Sequence, residues 1–386
     1  MLINRIITKL ILDKLAGEPK VIILYGPRQS GKTVILHEIA NKERKNNKEV
    51  LFLKGDDVRV QEVFGIADYD KISKFIGDPN ILIIDEAQKI ENIGSSLKLL
   101  FDSRPIHIIA SGSASFDLAN KINEPLTGRA TFFTAYPLSV DETRYKIPNF
   151  GLSSRLEEFL RFGMYPKVHT LGGQKEKEEY LYDIINTYLY QDLLSFQDIK
   201  KPKKIFDLLS LLSLQLGSEV SVDELSRNLF LHRSTVEKYL DILGKMFIII
   251  NIRGFSRNLR KEISKTSKYY FTDLGFRNSI IRNFNPLKLR ADAGALFENF
   301  GILERIKLLS NTKKHANFYF WRTYDQKEID FIEEKDGKLN AFEFKFGDGK
   351  IPRATKKEFL KTYPQSDLKL INRENIEEFL VLKKNF

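Results

Sequence analysis

The run Gly26-Pro27-Arg28-Gln29-Ser30-Gly31-Lys32-Thr33 directly follows the apolar stretch Val21-Ile22-Ile23-Leu24-Tyr25 and has the residue types and spacing of a phosphate-binding loop. A strand that breaks at glycine and then enters a helix leaves several backbone N–H groups pointing inward, and with the helix dipole these cradle a polyphosphate. In the spacing G-x-x-x-x-G-K-T the lysine serves the β- and γ-phosphates and the threonine hydroxyl serves magnesium. Lys32 and Thr33 take those places, and ATP with Mg2+ is the expected cofactor pair. An ordinary glycine-rich turn would have to produce both glycines, the lysine and the threonine by chance.

A second pair of reactive residues closes the apolar run Ile81-Leu82-Ile83-Ile84, which ends in Asp85-Glu86. Adjacent carboxylates at the end of a buried strand resemble a Walker B element, with Asp85 in the magnesium shell and Glu86 orienting or polarising the attacking water. The plainer alternative is that the acids cap a following helix. A further apolar run, Ile106 to Ala110, ends in Ser111-Gly112-Ser113, and Leu126-Thr127-Gly128-Arg129 follows. Phosphoryl transfer is often accelerated by a guanidinium supplied in cis or by a neighbour. Arg129 is the candidate, against the alternative of a surface salt bridge. Supply in trans would imply a homo-oligomer.

The third constellation is Glu298, Asp330, Glu343 and Lys345. Strict alternation in Asn340-Ala341-Phe342-Glu343-Phe344-Lys345-Phe346 places the three phenylalanines on one strand face and Glu343 with Lys345 on the other. Asp330 lies in the strand-like Glu328-Ile329-Asp330-Phe331-Ile332, and Glu298 lies on an amphipathic helix from Leu296 to Leu309. Two acids on paired strands and a third on a nearby helix can gather Mg2+, with Asp330 and Glu343 as ligands, while a lysine beside them activates water at a phosphodiester. This set resembles the PD-(D/E)XK nuclease superfamily, with Ile329 where the name-giving proline would stand. An inactive nuclease-like fold that binds DNA or a protein partner is the alternative.

The elements that must position these residues follow from periodicity. Repeated strand and helix signals over the first 150 residues indicate a parallel sheet covered on both faces. Farther along, Ser221-Val222-Asp223-Glu224 matches a capping box. A second short helix runs from about Arg233 to Leu243. The strand-like 247–252 and 268–271 then complete a winged helix-turn-helix. Residues 201–290 hold 17 Lys and Arg against 8 Asp and Glu, which leaves a net of +2 for the rest of a chain whose total is +11. Such clustering suits a surface that tracks a nucleic-acid backbone. The expected DNA contacts are Arg233 and Lys238 on the second helix and Arg253, Arg257, Arg260, Lys261, Lys265 and Lys268 on the wing. A winged helix used as a protein interface or as part of the ATPase lid is the competing reading.

Ile81 to Ala87, Gly128-Arg129 and Pro137-Leu138-Ser139 together resemble a group within the AAA superfamily, the archaeal and bacterial ATPases with a C-terminal nuclease-like domain. Phe159-Leu160-Arg161-Phe162-Gly163-Met164-Tyr165-Pro166 and Tyr188-Leu189-Tyr190-Gln191-Asp192 resemble that group's helical lid. The resemblance implies an α/β fold with an AAA-type P-loop core over 1–150, a helical lid over 151–200, a winged helix over 201–285 and a restriction-endonuclease-like domain over 286–386. It also implies that a polar group after the added strand, Ser111 or Ser113, senses the γ-phosphate, against the alternative of a plain Gly-Ser turn.

Composition sets outer bounds. At 386 residues two or three domains are expected, and 42% apolar with 29% charged residues is usual for a soluble globular protein. Apolar runs such as Met246 to Ile250 fall short of a membrane span. Ile3, Ile6, Ile7, Leu10, Ile11 and Leu15, with Arg5, Lys9 and Lys14 between them, read as a docking helix rather than a signal peptide. Having no cysteine excludes disulfides, thiolate metal sites and thiol nucleophiles, and fits a cytoplasmic location.

Overall fold

Strands whose residues are apolar along their whole length can only be accommodated with both faces covered, and the first part of the chain is built that way. The computed structural model describes residues 3–112, 125–144, 152–186, 201–256 and 267–380. Two compact units are present, one of residues 1–138 with 245–247 and one of 139–244 with 248–386.

In the first unit, β1 (Val21–Tyr25), β2 (Val50–Lys54), β3 (Ile81–Asp85), β4 (His107–Gly112) and β5 (Ala130–Thr134) pair in parallel in the order β2-β3-β4-β1-β5. Because side chains alternate across a strand, β1 feeds two cores. Ile22 and Leu24 pack with Ile7 and Ile11 of α1 (Ile6–Leu15) and with Ile35 and Ile39 of α2 (Lys32–Lys45). Val21 and Ile23 face the opposite core, where Phe64 of α3 (Val58–Gly65), Ile72 of α4 (Tyr69–Ile76) and Leu97 of α5 (Ile93–Ser103) meet. Each such side chain contributes about 1.5–3 kcal/mol by leaving water. Strand β4 stands between β1 and β3, so the C-terminal ends of these three strands, which carry the loop, Asp85 and Ser111, adjoin.

This unit ends at Leu138, short of the expected boundary at 150. The N–H of Val140, at the head of α6 (Val140–Arg144), donates to Glu304 Oε2 at 2.7 Å, a contact across 164 residues that assigns this stretch to the second unit.

After α6 the second unit continues with α7 (Leu152–Phe162) and α8 (Gln174–Ile184), followed by α9 (Pro202–Leu214), β6 (Glu219–Val220), α10 (Val222–Leu229), α11 (Arg233–Lys245), β7 (Ile249–Gly254) and β8 (Ser267–Phe271). Strands β6 and β7 both pair antiparallel with β8. The Ser221 hydroxyl accepts from the Glu224 N–H at 3.3 Å, the cap expected from sequence. Next come α12 (Leu274–Ile280), α13 (Ala293–Asn311), β9 (Asn317–Arg322), β10 (Glu328–Lys335), β11 (Lys338–Phe344), α14 (Arg353–Thr362), β12 (Asp367–Ile371) and α15 (Ile376–Phe379). Instead of two separate sheets, one seven-stranded sheet runs β12-β11-β10-β9-β7-β8-β6. Parallel pairing of Arg253 and Gly254 with Tyr319 and Phe320 joins its halves across the expected boundary at 285.

The expected lid is likewise tied to the segment after β8. Gly163, at φ +72°, lets the Met164 N–H reach Asp273 Oδ2 at 2.6 Å, and a side chain at 163 would collide with that carboxylate. Burial pushes the Asp273 carboxyl up to about 6 despite bonds from the Met164 and Phe276 N–H groups. Its folded value lies above the unfolded one, so between about pH 4 and 6 the folded state retains a proton that the unfolded state has released. This group's contribution is therefore present at low pH and lost as pH rises through about 6, by about 3 kcal/mol. Asp273→Asn is expected to remove that descending limb from a pH series of chemical denaturation midpoints; a variant whose limb matches the wild type would exclude Asp273 as its source.

Candidate active site

The chain leaves β1 at Gly26, whose φ of +152° and position allow no side chain, since a Cβ there would stand 2.4 Å from the Ala135 carbonyl oxygen. After Pro27 and Arg28, Gln29 at φ +58° and Gly31 at φ +94° turn the loop into α2, and Ser30 is buried between them. Lys32 is 5% exposed, and its Nζ donates to the carbonyls of Gly26 at 2.8 Å and Pro27 at 2.9 Å. The ammonium is thus held inside its own loop.

Thr33 Oγ1 donates to Asp85 Oδ2 at 2.6 Å, and the Ser111 hydroxyl donates to Asp85 Oδ1. The Glu86 N–H reaches both Asp85 Oδ1 at 3.1 Å and Ser111 Oγ at 3.2 Å. Ser111 therefore orders the acidic pair from the neighbouring strand; Ser113 lies outside the described residues. Glu86 has left-handed backbone angles of φ +55° and ψ +39°, uncommon for a residue with a Cβ, and Gln88 Nε2 donates to its Oε2 at 2.6 Å. These residues fit a nucleotide with magnesium, because the hydroxyl, the carboxylate and the buried ammonium converge on one glycine-shaped loop.

Sequence reasoning missed three contributors. Arg5, 8% exposed, donates to the Ser30 carbonyl at 2.5 Å and the Tyr136 carbonyl at 2.7 Å, bracing the loop from beneath. Gly55 follows β2 so tightly that a Cβ would stand 2.3 Å from the Glu86 carbonyl oxygen. Gln88, the third, had a signal in its two-residue spacing from Glu86. Arg129 pairs outward. Its Nε and Nη2 grip Asp102 at 2.6 and 3.0 Å, the surface salt bridge of the alternative reading.

In the second unit the expected acids sit where alternation puts them. Phe344 and Phe346 pack on Phe297 of α13, while Glu343 lies on the other face with its Oε1 accepting from Lys345 Nζ at 2.7 Å. Asp330 falls at a register shift of β10 against β9, and its Oδ2 accepts from the Phe344 N–H at 2.8 Å. Burial, then repulsion from Asp330, raises Glu298 to about 8 and Glu343 to about 7, and burial raises Asp330 as well. The acids form one electrostatic cluster. Among the described residues no group of three or more His, Asp or Glu side chains is placed to hold an ion, and the expected ligands Asp330 and Glu343 are two acids of this cluster. Glu298 accepts from the Tyr270 hydroxyl at 2.6 Å and pairs with Lys268 at 3.6 Å.

Lys268 needs correction. It is 1% exposed, too deep to meet a DNA phosphate. Arg233 is exposed and pairs with Asp223 and Glu237; Lys238 and Arg253 are exposed; Arg257, Arg260, Lys261 and Lys265 lie outside the described residues. Arg277 and Arg290, also in the basic segment, are buried on Asp292, so part of that charge is internal.

Residues 18–144 match a family described as an AAA domain, 153–287 a domain of unknown function (DUF8612) and 293–380 another (DUF4143). An uncharacterized protein of Mycobacterium tuberculosis is 26% identical over 349 residues, 89% of this chain and 74% of that one. Another, of Methanocaldococcus jannaschii, is 25% identical over 332 residues, 81% and 72% of the two chains. Among solved structures, the Walker-type ATPase PABY2304 of Pyrococcus abyssi superposes with a TM-score of 0.51 at 15% identity, over 72% of this chain and 96% of that one. Among the described residues no helix is long and apolar enough to cross a membrane. With the family match falling on the same loop and strands that gather Lys32, Thr33, Asp85 and Ser111, the chain carries a P-loop ATPase domain of the AAA type.

Proposed function

We propose that this domain hydrolyses ATP with Mg2+ to control how the second unit holds DNA, without cutting it. Bound nucleotide and metal supply the phosphoryl group and the positive charge that offsets the charge developing on its oxygens. For its part the protein offers Lys32, whose ammonium would exchange two neutral carbonyls for phosphate oxygens. Thr33 and Asp85 present a hydroxyl and a carboxylate already in register for a metal. Glu86 would orient and polarise the attacking water. The hydrogen-bonded chain Thr33–Asp85–Ser111 carries this reading, because it unites residues 52 and 26 positions apart in the order hydrolysis requires.

On the DNA side, the order α9, β6, α10, α11, β7, β8 supports a winged helix, and the exposed Lys238 and Arg253 support contact with a phosphate backbone. Affinity for a short duplex is expected to fall roughly a hundredfold between about 50 and 200 mM salt, as about four phosphate contacts require. Lys238→Glu with Arg253→Glu should flatten that slope in fluorescence anisotropy titrations. An affinity indifferent to salt and to both reversals would remove DNA from the proposal. The buried Lys268 among the acids favours the non-cutting form over metal-dependent cleavage at Asp330, Glu343 and Lys345. Cleavage of linear, forked or plasmid DNA with Mg2+ or Mn2+ that is lost in Asp330→Ala would reverse that choice.

A further inference from the structure

We infer that Lys268 is the built-in cation of the second unit's carboxylate cluster, a side chain occupying the place where the nuclease-like arrangement implies a metal ion. This inference rests on the non-cutting reading above. Strand β8 presents Lys268 and Tyr270 two residues apart, hence on one face, and both reach the same carboxylate. Lys268 Nζ donates to Glu328 Oε1 and lies 3.6 Å from Glu298 Oε1, while the Tyr270 hydroxyl donates to that same Glu298 oxygen. Its ammonium also lies 5.4 Å from the Phe320 ring centre, so the group is enclosed by acids and an aromatic face.

Each of these acids already has one oxygen committed to a protein donor. Glu298 Oε1 is taken by Tyr270 and Lys268, Asp330 Oδ2 by the Phe344 N–H, and Glu343 Oε1 by Lys345. Glu343 Oε2 is buried with no hydrogen-bond partner. Any divalent ion there would also face the fixed charge of Lys268. Burial works against the ammonium, yet Glu298, Glu328 and Asp330 hold it charged, with its titration raised above the ordinary lysine range. Arg322 engages Glu328 from the other side at 3.5 Å, which further offsets the acids without a metal.

Mn2+ binding to the full-length chain without nucleotide, read by the electron paramagnetic resonance of the free ion, tests this. The wild type is expected to show no binding that Asp330→Asn removes. Lys268→Met should create such binding, at least about tenfold tighter than in the wild type, because a repelling unit charge leaves the cluster. Since the single variant leaves buried acids without their cation and can unfold, Lys268→Met with Glu328→Gln removes the pair as a unit and is measured beside it. Asp330-dependent Mn2+ binding by the wild type overturns the inference, as does a folded Lys268 variant that gains none. The wild-type measurement decides alone if both variants unfold. Wild-type Mn2+ binding without DNA cleavage would sink this inference and leave the non-cutting reading standing; Asp330-dependent cleavage would sink that reading itself.

Discussion

Lys32→Ala is expected to lower ATP turnover by on the order of a hundredfold or more, the loss typical when one preorganised donor to a charged transition state is removed. The side chain is buried and makes two contacts within its loop, at 2.8 and 2.9 Å, so its ammonium is already positioned and little reorganisation is needed when phosphate oxygens replace the carbonyls. Truncation frees the carbonyls of Gly26 and Pro27 but leaves the glycine geometry and the Arg5 brace on Ser30 intact, so the fold should survive. Lys32→Arg should not rescue turnover, because a planar guanidinium does not fit a point-charge site enclosed by loop backbone. Phosphate-release kinetics beside nucleotide-binding titrations check both variants. An unchanged rate in Lys32→Ala would overturn the hydrolytic role of this loop.

The site's legibility in sequence depended on how local its interactions are. Gly26 to Thr33 and Asp85-Glu86 could be read because a strand, a turn and a helix start each leave a pattern within a few residues, and the positive φ values at Gly26 and Gly31 show why glycine stands there. Arg5 could not be read: its bond to the Ser30 carbonyl spans 25 residues, and it looked like one of several cations on an amphipathic helix. Lys268 was misread for a different reason. Charge summed along a segment says nothing about depth, and Lys268 is buried on Glu328, sixty positions on, while Arg277 and Arg290 are buried on Asp292, just past the basic segment. A lysine inside the aromatic strand Ser267-Lys268-Tyr269-Tyr270-Phe271 was the available warning, since a charge at a buried strand position needs a partner.

The same distinction explains the domain boundaries. Pairing of β7 with β9, and the bond from the Phe255 N–H to the Phe320 carbonyl, link strands about 65 positions apart and leave no local mark. Once that joint exists, β7 and β8 and the strands that bear Asp330 and Glu343 share one sheet. Tyr270 and Lys268 on β8 then reach Glu298 and Glu328, which ties β8 to the acidic cluster. A displacement of β8 could not occur without separating buried opposite charges, a cost of several kcal/mol.

Glu86→Gln is expected to lower the rate of the hydrolytic step by about 10²–10⁴-fold, the usual weight of a positioned base, while nucleotide affinity stays within a few-fold of the wild type. The expected split follows from what the side chain touches. Its backbone N–H is held by Asp85 Oδ1 and Ser111 Oγ, and glutamine leaves both bonds in place. The amide oxygen of a glutamine can still accept from Gln88 Nε2, which now donates to Glu86 Oε2 at 2.6 Å, so the side chain keeps its orientation and loses only its charge. The left-handed backbone at this residue, which costs roughly 1–3 kcal/mol for a residue with a Cβ, is likewise retained, because Gly55 closes over its carbonyl in either variant. Loss of rate with affinity preserved would therefore report on water activation rather than on local unfolding. Single-turnover hydrolysis measured beside equilibrium nucleotide binding makes the comparison, and a rate within about threefold of the wild type would transfer the base role away from Glu86.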